Sequence, residues 1–330
     1  MAQMDFPHDL KLDPTDIERR GVLRDQETNL IRSRVGILLS LYFKDGYLRE
    51  KRKELVAALG EYMDVFGEQI THFKHGEDGR LHKYSGDGIP DAYLRDVDLP
   101  ENEMFYLHVR HYDPREQNDP SLYMFMAFGH QRGDQWPLSG LKVHIPPSFV
   151  FEQTERFMKL IARWCDRLDV VHGSGGLGTL SNPGSETSGD AYYYPWLAEY
   201  PALEYDAMGN YFATTYKGGF DRPRSSNWLT ILGDDNVAKL GGEAAIAAQL
   251  SEDISVIRFK SGIIIRAGAL PVLGSAATGG VPEAYRIVAR IVKPIRFEEY
   301  RFSIFKLPAH LNSGTEARLA ENLKWIRRFD

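Results

Sequence analysis

The sequence predicts an α+β fold of antiparallel or mixed sheets with packed amphipathic helices, with a suggestion of two similar lobes. Three observations lead there. Short apolar runs bounded by turn residues read as strands. Two long stretches carry apolar residues at helical spacing with charges opposite. The order strand, helix, strands, strand, helix, hairpin, helix is that of an α+β chain rather than of a strict strand–helix alternation.

The elements follow in order. Residues 1–30 are polar, acidic and aperiodic, and read as an N-terminal extension or outer wrapping segment; residues 31–330 read as one α+β domain, with any lobe boundary near 135–140. "RVGILLSLYF" (34–43) is a buried strand ended by "KDG". The next stretch, 48–67, is an amphipathic helix with Leu48, Leu55, Leu59, Tyr62 and Phe66 on one face. Residues 74–100 are turn-rich. Strands are expected over 104–112 and 122–129, as an antiparallel pair, and over 141–145. Pro146-Pro147-Ser148 opens a second helix with Val150, Thr154, Phe157, Ile161 and Leu168 on one side, beside Met158 and Cys165. The similar strand-then-helix units at 34–66 and 141–168 hint at an internal duplication. "ISVIRFKSGIIIRAG" (254–268) is a hairpin turning at Lys260-Ser261-Gly262. Pro282 and Pro294 bracket a helix, and a last helix closes the chain.

Composition narrows the function classes. The chain has 330 residues, 43% apolar and 26% charged, as in ordinary globular proteins. No secretory signal is recognised, and the longest apolar run is too short to span a bilayer. The single cysteine, Cys165, excludes an internal disulfide framework, suits a reducing cytoplasm and falls on the apolar side of a helix. Residues 1–216 hold 23 Lys and Arg against 34 Asp and Glu, whereas 217–330 hold 17 against 12. Residues 168–216 contain no Lys or Arg at all. Such a surface repels phosphate and favours a basic partner, so direct nucleic-acid binding is not expected there.

"DVVHGSGGLGTL" (169–180) resembles a nucleotide signature, since Gly173, Gly175 and Gly178 spell G-x-G-x-x-G. That motif works through the N-terminus of a following helix. Pro183-Gly184 interrupts any such helix, and no Lys-Ser/Thr follows the last glycine. His172 stands where a nucleophile elbow needs glycine. The stretch reads as a close-packed glycine loop. No metal site is expected either: His72 with His75, and His108 with His111, are three apart, on opposite faces of a strand.

Two acidic regions remain as candidate partner surfaces. One combines carboxylates with aromatics: Glu186, Asp190, Tyr192, Tyr193, Tyr194, Trp196, Glu199, Tyr200, Glu204 and Asp206, with Tyr205 among them. Aromatics are common interface anchors and common core residues alike. The other gathers Asp87, Asp91, Asp96, Asp98, Glu101 and Glu103 against Arg95 alone. Paired carboxylates can do acid–base work in a pocket, but nothing in this stretch marks a pocket, and a solvated acidic loop is the simpler reading.

Two later stretches carry a family resemblance. "NWLTILGDDNVAKLGG" (227–242), with Trp228-Leu229-Thr230, Leu232-Gly233 and Gly241-Gly242, and "GIIIRAGALPVLGSAATGGVPEAYRIVARIVKPIR" (262–296), with Ile265-Arg266-Ala267-Gly268, Pro271, Gly274 and Tyr285-Arg286, resemble the type VI secretion immunity proteins of the TsiV family, which accompany VRR-NUC nuclease toxins. The likeness extends more loosely over 34–300. The chain departs at Ala276–Gly280, where the family often has a more polar loop, and in its acidic N-terminal segment. The resemblance implies a cytoplasmic protein without catalytic residues or cofactor, which binds a cognate nuclease effector and blocks its DNA-binding or active-site surface. Trp228, Gly233, Gly241, Gly242, Arg266, Gly268, Pro271, Tyr285 and Arg286 then read as scaffold, with Arg266 and Arg286 expected to pair with carboxylates. The competing readings are a nucleotide-binding enzyme using Gly173–Gly178 and an intracellular adaptor without a toxin partner.

Overall fold

The computed structural model describes residues 7–75, 79–182, 191–275 and 280–330. Its strands are β1 (Val22–Arg24), β2 (Ile31–Phe43), β3 (His72–Lys74), β4 (Leu81–Lys83), β5 (Phe105–Arg110), β6 (Met124–Gly129), β7 (Ser139–Ile145), β8 (His172–Leu180), β9 (Leu229–Gly233), β10 (Ile254–Phe259) and β11 (Gly262–Ala267). They form one antiparallel sheet in the order β10-β11-β9-β8-β2-β7-β6-β5-β3-β4, with β1 joined to the start of β2. The 135–140 region falls in the connection from β6 to β7 and the first residues of β7, and these two strands pair directly from Met124 to Phe128.

β2 is the spine. It is 13 residues long, and Leu38 faces Gly176 of β8 on one side and His144 of β7 on the other. Alternation splits β2 between two covered faces. Ile37, Leu39 and Leu41 turn to one face with Val143 and Phe125, and Phe125 meets Trp164 edge-on at 6.0 Å. That face is covered by the helices Arg49–Phe66 and Thr154–Leu168, which pack on each other. The first buries Leu55, Leu59, Tyr62 and Phe66 of the stripe read from the sequence, while Leu48 caps its start and is partly exposed. The second buries Phe157, Ile161, Cys165 and Leu168. The helix expected from 147 to 168 is broken at Gln153, whose φ of −130° and ψ of 41° are not helical, leaving Pro147–Glu152 as a separate piece.

The glycine stretch is not a loop. It is β8, paired with β2 along its whole length and with β9 over His172–Gly175. Where β9 ends, the backbone of Glu204 continues the ladder, with Glu204 N–H donating to Leu177 O at 2.8 Å and Thr179 N–H to Glu204 O at 2.9 Å. The glycines are needed for close approach. A Cβ on Gly173 would lie 2.6 Å from Ser40 O, one on Gly176 2.5 Å from Asn227 Oδ1, and one on Gly178 2.8 Å from Glu204 O. Its backbone groups are engaged in ladders, so it presents no cradle of free N–H groups for a phosphate.

Residues 7–30 are structural. The helix Pro14–Arg20 is capped by Asp13, which accepts from Asp16 N–H, and Leu10, Ile17 and Leu23 are buried in the main core. No helix among the described residues is long and apolar enough to cross a membrane.

Candidate partner-binding surface

The first acidic candidate is drawn into the interior. Glu186 and Asp190 lie outside the described residues, as do Pro183-Gly184. Of the rest, Tyr193, Trp196, Tyr200, Glu204, Tyr205 and Asp206 are buried. Only Tyr192, Tyr194 and Glu199 are partly exposed, and all three are bonded: Tyr192 OH donates to Asp25 at 2.8 Å, Tyr194 OH to Glu321 at 3.0 Å, and Glu199 meets His8 at 3.1 Å. The segment works as a clamp. Tyr200 OH accepts from Leu10 N–H at 3.0 Å and donates to Pro7 O at 2.5 Å. Trp196 Nε1 donates to Ser33 Oγ at 2.8 Å at the start of β2. Tyr205 packs edge-on to Phe305 and Trp325 from the C-terminal region. Its aromatics therefore bind both chain ends to the sheet instead of forming an open surface.

Glu204 and Asp206 have the same fate for an electrostatic reason. Both are fully buried beside Arg224, which is 3% exposed at its side chain. Arg224 meets Glu204 at 2.8 Å and Asp206 at 3.5 Å, and donates to Tyr205 O and to Ser174 Oγ on β8. Burial opposes the guanidinium charge, but Asp206 and Glu204 outweigh it and hold its pKa above the ordinary arginine value. Tyr42 OH lies 2.8 and 2.9 Å from the two Asp206 oxygens. His172 stacks on Tyr42 at 4.7 Å, and burial drives its pKa down to about 3, so it is neutral. The cluster is closed: Arg224, Glu204 and Asp206 are buried and partnered with one another. Sequence reasoning missed Arg224, which lies in "RPRSSN" with no pattern to mark it; the absence of Lys and Arg from 168–216 only required that some distant cation compensate these acids.

The second candidate is on the surface. Asp87, Asp91, Asp98 and Glu103 are exposed, and Asp96 and Glu101 partly so. Asp98 meets Arg49 at 2.5 Å, Asp96 meets His75 at 2.9 Å and Glu101 meets Arg132 at 2.6 Å. Asp87, Asp91 and Glu103 make no ion pair among the described residues. Leu94 and Met104, 49% and 53% exposed, stand in the same stretch and are two of four exposed large apolar side chains among the described residues. The stretch is firmly mounted. Tyr93 is fully buried, and its hydroxyl bonds the carbonyls of Lys74 and His108. Arg52, buried on the long helix, donates to the carbonyls of Leu99, Pro100 (3.0 Å) and Glu103 (2.8 Å). Carboxylates and apolar groups are thus presented together at the β3–β4 end of the sheet.

The scaffold residues are placed as follows. Trp228 is fully buried, parallel to Phe157 at 6.1 Å, with Nε1 donating to Gly268 O at 3.0 Å. Gly241, Gly242 and Gly268 have φ near +90°, which a side chain would strain. A Cβ on Gly233 would meet Val170 O at 2.7 Å. Pro271 and Tyr285 are buried. Arg266 pairs with Glu155 at 3.1 Å, but Glu155 is 77% exposed, so this is a surface pair and not a buried one. Arg286 makes no ion pair among the described residues, against expectation: its helix leaves it half-exposed, where water solvates the charge. Among the described residues no group of three or more His, Cys, Asp or Glu is arranged to hold a metal ion.

A solved Pseudomonas aeruginosa structure, described as T6SS protein PA0821, superposes with a TM-score of 0.79 at 20% identity, over 98% of this chain and 91% of that one. At that identity the likeness concerns the fold. No curated protein matches the chain. The profile of the TsiV family, described as type VI immunity for VRR-NUC, matches residues 54–329, which take in β3 to β11 but not β1 or β2. The chain belongs to the TsiV family of type VI immunity proteins.

Proposed function

We propose that this protein binds a VRR-NUC nuclease effector and neutralises it, with the Asp87–Glu103 edge covering the effector's basic DNA-binding surface. Family membership over residues 54–329 carries the immunity reading. A binding protein of this kind acts in the compartment where its effector would cut DNA, the cytoplasm, and requires no catalytic group or cofactor. The choice of surface rests on exposure. Asp87, Asp91 and Glu103, which make no ion pair among the described residues, beside Leu94 and Met104, are the groups that can substitute for phosphates on a nuclease while burying apolar area. Charge steers association and the apolar contacts slow dissociation.

The test replaces Asp87, Asp91 and Glu103 together by Lys, and separately Leu94 and Met104 by Ala, in chains whose melting temperature is unchanged. Effector affinity and protection of DNA are measured. The charge variant is expected to lose most association rate at low salt, and the apolar variant to lose roughly tenfold or more in affinity, as interface anchors do. If both protect DNA like the parent chain, the inhibitory surface lies elsewhere.

A further inference from the structure

The two edges of the sheet are built differently. At one, β4 is only three residues long, with His82 and Lys83 exposed. Short, charged edge strands resist pairing with another chain. At the other, β10 has six residues and pairs with β11 alone.

The hydrogen-bond phase of β10 follows from its neighbours. Gly268 N–H donates to Asp253 O at 3.0 Å, whereas Ala267 N–H turns away and donates to Trp228 O at 2.8 Å. Along β11, even-numbered residues therefore bond toward β10. Their partners are Ser255 (Arg266), Ile257 (Ile264) and Phe259 (Gly262). The backbone groups of Ile254, Val256 and Arg258 must point out of the sheet. Ile254 N–H is satisfied by Ser251 O at 3.0 Å, but the N–H groups of Val256 and Arg258 have no acceptor among the described residues. Ser255, Val256 and Ile257 are partly exposed.

Charge along this edge indicates the occupant. Exposed Glu252 and Asp253 precede the strand, and two exposed cations end it: Arg258, which pairs with Asp234 at 2.6 Å, and Lys260, 75% exposed at its side chain and 3.9 Å from Asp169. A strand that is acidic at its start and basic at its end is complementary to its own antiparallel copy. We propose that β10 pairs with β10 of a second copy of this chain about a two-fold axis at Val256, making one continuous sheet across a dimer. In that register each Val256 exchanges two backbone hydrogen bonds with Val256 of the partner subunit, and Glu252 stands opposite Lys260 of the partner subunit. The proposal needs no effector and is independent of the immunity reading.

The test uses the full chain alone, by sedimentation velocity from about 1 to about 100 µM, a range that resolves ordinary dimer affinities. A reversible monomer–dimer equilibrium is expected. Val256→Pro removes an outward N–H and no bond to β11, a position where an edge strand tolerates proline; it should weaken the dimer roughly tenfold or more. Glu252→Lys and Lys260→Glu should each weaken it, and the double exchange should restore it, which holds the test open if the proline variant folds poorly. A chain that is monomeric throughout, or a dimer indifferent to both the proline and the charge exchange, overturns the proposal. So does a monomeric chain that loses effector binding on Val256→Pro, since the edge would then serve the effector.

Discussion

Arg224 and Glu204 meet at 2.8 Å with both side chains shut away from water behind β8. The pair ties the chain beyond β8 to the sheet, since Glu204 also extends the β8 ladder through its backbone. Removing one member strands the other as an uncompensated buried charge. Arg224→Met is therefore expected to destabilise the fold by about 3–5 kcal/mol. Urea unfolding measures this directly, and a loss under about 1 kcal/mol would mean that water reaches the cluster. A charge reversal at Glu204 is for the same reason a folding variant and no probe of partner binding.

The glycines of β8 should respond to a single methyl group. Gly178→Ala places a carbon between Glu204 O and Leu38, and is expected to cost about 1–3 kcal/mol through overpacking. Gly209, in the helix Met208–Thr215, has no atom within 4 Å of where a Cβ would sit. Gly209→Ala should be neutral or stabilising by up to about 1 kcal/mol. Thermal melting of the two variants separates the cases; equal effects would show that β8 is not close-packed.

Trp228 and Arg266 stand close together in the sequence signature but differ in environment. Trp228→Ala empties a fully buried site and should cost about 3–5 kcal/mol. Arg266→Ala breaks a pair whose carboxylate is largely in water, and should cost less than about 1 kcal/mol. Chemical denaturation ranks them. An arginine variant as damaging as the tryptophan variant would show that the Arg266 stem or its bond to Ser255 matters more than its charge.

What could be read from the sequence is what periodicity encodes. β2, the helix Arg49–Phe66, the β5–β6 pair and the β10–β11 hairpin follow from apolar spacing and turn residues, because each is decided by which side chains a local element must bury. β8 escaped because its code is the absence of side chains. Glycine has low strand propensity and no alternation, and the requirement it meets is the approach of Ser40, Asn227 and Glu204, all distant in sequence. The acidic candidates were separable only in space. Composition makes Glu204 and Asp87 equivalent, while Arg224 takes one inside and no described residue pairs with the other.

Stability should fall on mild acidification. His108, His144 and His172 are buried, and burial lowers the pKa of each, that of His172 to about 3. The unfolded chain protonates them near 6.5. The folded state thus binds fewer protons, and its advantage is full above about pH 6.5 and shrinks as pH drops through that value toward the folded pKa, by up to about 1.4 kcal/mol per pH unit for each histidine. Carboxylates with lowered pKa, such as Asp113 at about 2 beside Arg115, also favour the fold, but their contribution is lost only below about pH 4. The window from pH 6 to 5 therefore isolates the histidines. Burial lowers the pKa of His130 and His72 as well, so urea unfolding across this window should show a steep slope, reduced by at most about a third in His172→Gln whatever that variant's absolute stability. A flat profile between pH 7 and 5 would mean that these imidazoles gain protons without unfolding, and that water reaches them in the folded state.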